Sequence, residues 1–152
     1  MNSLSVLLVV SVLLTNVIGK EDKKNYSHQN QRTISTFSIF TGKQTEHTVI
    51  SVHGISEHSS TFSNLQSFLS YDNVNLLSYD INGFGKNIEK NVGIDAWNKQ
   101  LLNKIDYVIQ SYPNTHITLI GNSMGAAIIL HNYVKLKKYI HSKTGRNPTV
   151  IL

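Results

Sequence analysis

Residues 116–125 read His116-Ile117-Thr118-Leu119-Ile120-Gly121-Asn122-Ser123-Met124-Gly125. His116 to Ile120 is an apolar, β-branched run of strand character, and the residues after Ser123 are rich in Ala, Ile and Leu, as a helix requires. Between the two stands Gly-x-Ser-x-Gly. A chain that turns sharply from strand to helix holds the serine at its apex in strained backbone geometry and leaves no room for side chains two residues to either side. Gly121 and Gly125 meet that requirement, so the stretch predicts a nucleophile elbow with Ser123 as the nucleophile.

Working outward, the same alternation continues in both directions. Thr33 to Phe40 and His47 to Val52 are β-rich runs separated by the turn residues Thr41 to Gln44, which together suggest a hairpin. Ser59 to Ser70 places Phe62, Leu65, Phe68 and Leu69 at helical spacing behind serines able to cap it. Val74 to Tyr79 is the next strand, ending at Asp80 and the glycine-bearing loop from Ile81 to Lys86. From Ile94 to Ser111, Ile94, Trp97, Leu101, Ile105, Val108 and Ile109 form one apolar stripe, with Asn98, Lys99, Asn103, Lys104 and Asp106 off it. Tyr112-Pro113-Asn114 ends that helix. One helix is expected from Ser123 to about Ile140, and a further strand opens at Pro148 to Leu152. Strands alternating with helices predict an α/β fold, a mostly parallel sheet with helices on both faces.

The totals narrow the function. The chain has 152 residues, about one domain, with 14 Lys and Arg against nine Asp and Glu and no cysteine. Without cysteine there is no disulfide, no thiolate metal site and no cysteine nucleophile. The positive charges are scattered, which argues against a nucleic-acid face. Leu4 to Ile18 is a run of 15 uncharged, mostly Leu and Val residues, followed by Lys20, Glu21, Asp22, Lys23 and Lys24. That length suits a secretory signal at residues 1–19, cut after Gly19, with an uncleaved membrane anchor as the alternative. Residues 20–32 then form a polar linker in which Asn25-Tyr26-Ser27 is a glycan acceptor pattern, and residues 33–152 form the domain.

An acyl-transfer site needs two aimed backbone donors for its oxyanion, usually the amide after the nucleophile and one from the loop after an earlier strand. Met124 supplies the first. His53-Gly54-Ile55 follows the strand His47 to Val52, so the Ile55 amide is the expected second, with Gly54 permitting close approach. His53 and His58 read as hydrogen-bonded scaffolding rather than metal ligands, and Asp80 with Gly83 and Gly85 as a tight connection rather than a phosphate loop. Lys135, Lys137, Lys138 and Lys143 read as a solvated helix end. No cofactor and no metal are expected.

Three segments, Val52-His53-Gly54-Ile55-Ser56-Glu57-His58-Ser59, then Tyr79-Asp80-Ile81-Asn82-Gly83-Phe84-Gly85, then Gly121 to Gly125, carry a resemblance. Their order and content resemble the HGxxEHS, DxxGxGxS and GHSMG loops of the monoacylglycerol lipase and lysophospholipase branch of the α/β-hydrolases, often filed under a serine aminopeptidase heading. The resemblance covers roughly residues 45–152. It implies an α/β-hydrolase sheet and hydrolysis of a small ester or monoacyl lipid. Asn122 stands where that family has His, and Asn87 where a Ser closes the glycine loop.

A third departure concerns the rest of the triad, whose acid and histidine follow the serine in this fold. The 29 residues after Ser123 contain no Asp or Glu. His131 lies roughly 12 Å along the helix that Ser123 begins, at 1.5 Å per residue, too far to take the hydroxyl proton. Three readings stay open: the N-terminal portion of a hydrolase, a catalytically silent binding protein, and half of a split enzyme. In the first reading the last strand, Pro148 to Leu152, would lack its outer neighbours in isolation, which invites self-association.

Overall fold

The computed structural model describes residues 37–39, 45–72 and 74–152, all within the compact unit Ser35–Leu152. The expected signal at 1–19 and linker at 20–32 lie outside the described residues. Among the described residues there are five strands: β1 (Phe37–Ile39), β2 (His47–Val52), β3 (Asn75–Tyr79), β4 (His116–Gly121) and β5 (Thr149–Ile151). The helices are α1 (Ser63–Tyr71), entered through a 3-10 turn at Ser59–Phe62, then α2 (Ile94–Ser111), α3 (Met124–His131) and α4 (Tyr133–Thr144).

The strands lie in the order β1-β3-β2-β4-β5. Strands β2 to β5 pair in parallel, and β1 runs antiparallel to β3 with Phe37 opposite Tyr79. The expected hairpin is therefore wrong. Strand β2 gives one edge to β3 and the other to a six-residue ladder on β4, so β1 pairs at the outer edge of β3 instead.

Strands β2, β3 and β4 are buried almost throughout, as parallel strands covered on both faces must be. On one face Ile50, Val52, Leu77, Tyr79, Ile117 and Leu119 pack with Leu101, Ile105 and Val108 of α2, Ile128 and Ile129 of α3, and Leu136 and Ile140 of α4. Val49, Leu76 and Ile120 point the opposite way by the alternation of the pleat, and α1 packs on β3 with Leu65 and Leu69 buried.

The periodicity fails in four places. Phe68 of α1 is exposed, while Phe62, Leu65 and Leu69 are buried. No serine side chain caps the start of this segment; the Asp80 carboxylate accepts the Ser59 amide at 2.7 Å, placing a negative charge where the first turn presents its unpaired donors. The helix after Ser123 breaks at Asn132, whose φ of −116° and ψ of 13° leave the helical well, so α3 and α4 are separate elements. Asn98 lies on the buried face of α2, only 5% exposed, because it is spaced three and seven residues from Leu101 and Ile105.

The Asn98 amide has no hydrogen-bond partner for either its oxygen or its nitrogen. Burying an unsatisfied amide costs roughly 1–3 kcal/mol by mutational data. Asn98→Leu, which fills similar volume with apolar atoms, is expected to raise the urea midpoint by an amount worth about 1–2 kcal/mol. An unchanged or lower midpoint would show that the site offers the amide a compensation not visible in its side-chain partners.

Candidate active site

The chain leaves β2 for β3 on one side, then crosses back to place β4 on the other, so the carboxyl ends of β2 and β4 flank the point where strand order reverses. In open parallel sheets that crevice is where ligands bind. The β2–β4 register runs from His47 opposite His116 to Val52 opposite Gly121, and the Asn122 amide extends it with a 3.0 Å bond to the Val52 carbonyl. The loop after β2 and the turn after β4 therefore start level. Ile55 and Met124 each lie three residues beyond the last paired positions.

Ser123 has φ 50° and ψ −111°, a left-handed conformation that costs a non-glycine residue about 1–3 kcal/mol and persists only where the surroundings impose it. The surroundings are tight. A Cβ on Gly121 would lie 2.6 Å from both the nitrogen and the Cα of Ala126, and one on Gly125 would collide with the Val52 carbonyl oxygen and come within 2.8 Å of the His53 oxygen. Both glycines are required by contact rather than by torsion. The Gly125 amide closes the turn onto the Asn122 carbonyl at 2.8 Å, and the Ala127 amide onto Ser123 at 3.1 Å starts the helix. The Ser123 residue is exposed, and its hydroxyl has no hydrogen-bond partner among the described residues.

Across the crevice, Glu57 ties the two loops together. Its carboxylate accepts the Gly54 amide at 2.7 Å and the Asn122 side-chain amide at 2.9 and 3.1 Å. Gly54 is closely packed, since a Cβ would stand 3.1 Å from the Glu57 carboxylate and 3.3 Å from the Asn122 side chain, and both would have to yield by a few tenths of an ångström. Asn122 thus does structural work from the position where the resembling family has His. Ile55 sits at the rim, 65% exposed, followed by Ser56 at φ 61°. Neither the Ile55 nor the Met124 amide donates to a backbone carbonyl among the described residues.

His53 is fully buried with both ring nitrogens engaged: Nδ1 donates to the Gly54 carbonyl at 2.8 Å, and Nε2 accepts the Ile81 amide at 3.0 Å. An acceptor Nε2 fixes the neutral ring in its Nδ1-protonated form. Burial lowers its pKa below the usual histidine value despite the nearby Asp80 and Glu57. The His53 ring thus joins the loop after β2 to the loop after β3. Asp80 is likewise occupied, its carboxylate holding the Ser59 and Lys86 amides at 2.7 and 2.8 Å. A Cβ on Gly85 would come within 2.5 Å of that carboxylate, so the glycine loop is shaped around it. Asn87, the second departure, donates to the Asp80 carbonyl and to Asn82, each at 3.0 Å.

No described histidine serves Ser123 as a base. His58 is exposed and pairs with Ser60 at 2.6 Å. His47 and His116 stand edge to face at the opposite ends of β2 and β4, about 16 Å of strand away from the elbow. His131 and His141 are exposed on α3 and α4. His28 lies outside the described residues.

A crevice at the strand-order reversal, beside a strained serine between two sterically required glycines, belongs to a sheet of the α/β-hydrolase fold. The family follows from comparison: residues 43–143 match the family model described as "Serine aminopeptidase, S33", and the chain belongs to that family. A monoglyceride lipase homolog of monkeypox virus is 30% identical over 79 residues, 50% of this chain and 29% of that protein. Est1E of Butyrivibrio proteoclasticus, solved with bound ferulic acid, superposes with a TM-score of 0.59 at 23% identity, over 66% of this chain and 43% of that one. A Pyrococcus furiosus esterase, Pf2001, gives 0.54 at 25% identity, over 61% and 39%. The chain thus spans less than half the length of each of these.

Two outcomes test this geometry. Gly125→Ala forces a methyl into the Val52 carbonyl, and is expected to cost more than about 3 kcal/mol, beyond ordinary overpacking. Gly145→Ala meets nothing within 4 Å and carries only its positive φ, so its cost should stay near 1–2 kcal/mol. Paired urea titrations with equal midpoints would contradict the contact.

The second concerns pH. Burial also lowers the pKa of His116, reinforced by His47 and Arg146. A histidine whose folded pKa lies below its unfolded value of 6.5 contributes stability above that value and loses it as pH falls. Thermal midpoints should therefore decline from about pH 7 to about pH 5, before carboxylates titrate. A midpoint that rises over that window would contradict the neutral, doubly bonded His53.

Proposed function

We propose that the protein is a serine ester hydrolase of the monoacylglycerol lipase and lysophospholipase type, with Ser123 as nucleophile and a small lipid ester as substrate. The observation that carries this reading is the left-handed, exposed Ser123 between Gly121 and Gly125, level with the Ile55 loop. The serine hydroxyl attacks the ester carbonyl carbon. The Ile55 and Met124 amides hold the resulting oxyanion, and the alkoxide leaves with a proton. That proton has to come through a histidine beyond the described residues, because a neutral hydroxyl without a base is a poor nucleophile.

A second reading has its own support. Ala127, Leu130, Tyr133 and Val134 are exposed along α3 and α4, continuing from Ser123, and among the described residues β5 pairs only with β4. An apolar helix face beside an unpaired strand edge suits a further strand and helix carrying the acid and the histidine, whether from this polypeptide or another. Without them the same edge supports self-association, and the chain is a silent binding protein.

A fluorophosphonate probe on the folded 152-residue chain separates these. Label is expected on Ser123 alone, abolished by Ser123→Ala, at a rate at least about a thousandfold below that of a complete triad enzyme. Label that survives Ser123→Ala removes Ser123 as nucleophile. Complete absence of label from folded protein moves the chain to the silent reading.

A further inference from the structure

The loop between β3 and α2 buries one isoleucine, Ile81, and holds the other out in solvent. Ile88 is 89% exposed, and Val92, which packs over Gly83, is 54% exposed. Single exposed apolar residues are common and by themselves mean little. Here the residues on both sides are pinned. Asn87 is buried and held through its backbone to Gly83 and Phe84 at 2.9 and 3.0 Å, and through its side chain to the Asp80 carbonyl and Asn82. The Glu89 amide bonds to the Asn87 side-chain oxygen at 3.2 Å, the Glu89 carboxylate accepts the Asn91 amide at 3.2 Å, and the Asn91 carbonyl accepts from Asn82 at 3.0 Å. Ile88 cannot fold inward without breaking this set.

Around that apolar tip the charge is mostly positive. Lys86 and Lys90 flank it, both exposed, and a polar cavity of about 500 Å³ lies beside it, lined in part by Lys99, Lys104 and Asn103. Lys104 is half-buried there over the Tyr79 ring, and burial lowers its pKa below the usual lysine value. Over residues 85–104 the carboxylates are Glu89 and Asp95, two against four lysines, while Asp80 is occupied by the Ser59 and Lys86 amides and Asp106 bonds Tyr139 farther along α2. The loop joins the candidate site directly, through the Ile81 amide on His53 and the Asp80 carboxylate on Ser59.

We infer that residues 85–93 are an interfacial docking loop for an anionic lipid surface: Ile88 and Val92 enter the acyl boundary, while the exposed Lys86, Lys90 and Lys99 meet phosphate headgroups. An apolar side chain supplies the insertion, and each lysine near a negatively charged surface adds attraction. No helix among the described residues is long and apolar enough to cross a membrane, so this contact lies on the surface rather than through it. Docking deepens the lipid-ester reading but stands on the loop alone.

The absence of cysteine makes a clean test available. Ile88→Cys in the full chain is labelled with an environment-sensitive nitrobenzoxadiazole fluorophore and mixed with vesicles of phosphatidylcholine alone or of equal phosphatidylcholine and phosphatidylglycerol. A severalfold rise and blue shift of emission is expected on the anionic vesicles, with little change on the neutral ones. The same label at the exposed Gln110 of α2 should not respond, which separates the loop from insertion of the Leu4 to Ile18 run. Adding Lys86→Glu and Lys90→Glu should weaken the response by at least about tenfold in vesicle concentration. An aqueous emission at position 88 on anionic vesicles overturns the proposal, as does an equal response on neutral vesicles or at position 110. Ser123→Ala should leave the vesicle response intact, so loss of hydrolysis and loss of docking are read separately.

Discussion

The close approach of the β2 carboxyl end to the start of α3 governs everything near Ser123. The Val52 carbonyl receives the Asn122 amide at 3.0 Å, while the same residue's oxygen occupies the space where Gly125 would carry a side chain. A parallel ladder of six residue pairs fixes that approach, and most of its members are fully buried. A strand shifted by one residue would turn Ile50 and Leu119 out of the core they share with α2 and α3, so the register is held by apolar burial along the whole length of both strands. Ser123 inherits its strained torsions from this arrangement. About 1–3 kcal/mol of local strain is small against a core in which each buried Leu or Ile contributes roughly 1.5–3 kcal/mol.

Polar groups then set the loops on that frame, and each buried charge or ring is matched to backbone amides. Asp80 gathers the Ser59 and Lys86 amides, Glu57 gathers Gly54 and Asn122, and His53 spans Gly54 and Ile81. Three short loops after three different strands are thereby linked by hydrogen bonds. The arrangement also explains why His53, so close to the elbow, is no general base. Its acceptor nitrogen is already used, and burial disfavours the imidazolium that a base must become.

Much of this was legible in the sequence, and the misses have physical causes. Gly121 and Gly125 announced the elbow because steric exclusion leaves glycine no substitute, and the β2 and β4 runs are apolar enough to declare buried strands. The partner of β1 was not legible, because two neighbouring β-rich segments specify strand character but not which edge is free. Asn98 was placed by its polarity on the solvent side although its spacing from Leu101 and Ile105 put it on the core side, and spacing prevailed. The helix break at Asn132 has no proline or glycine to mark it. Glu57 was visible within the resembling loop, yet its role emerged only when Asn122, 65 residues later, arrived beside it. The glycan pattern, signal and linker fall where the structure describes nothing.

The exposed, unbonded Ser123 hydroxyl carries the last step. In a complete triad the base holds the serine side chain in place, and it is natural to attribute the elbow's geometry to that contact. Here the torsions of Ser123, the turn closed by Gly125 and the Ile55 loop are all in place while no histidine among the described residues touches the hydroxyl. The strain is therefore imposed by β2, β4 and the two glycines that flank the serine. The placement of Ser123 is a property of residues 47–125.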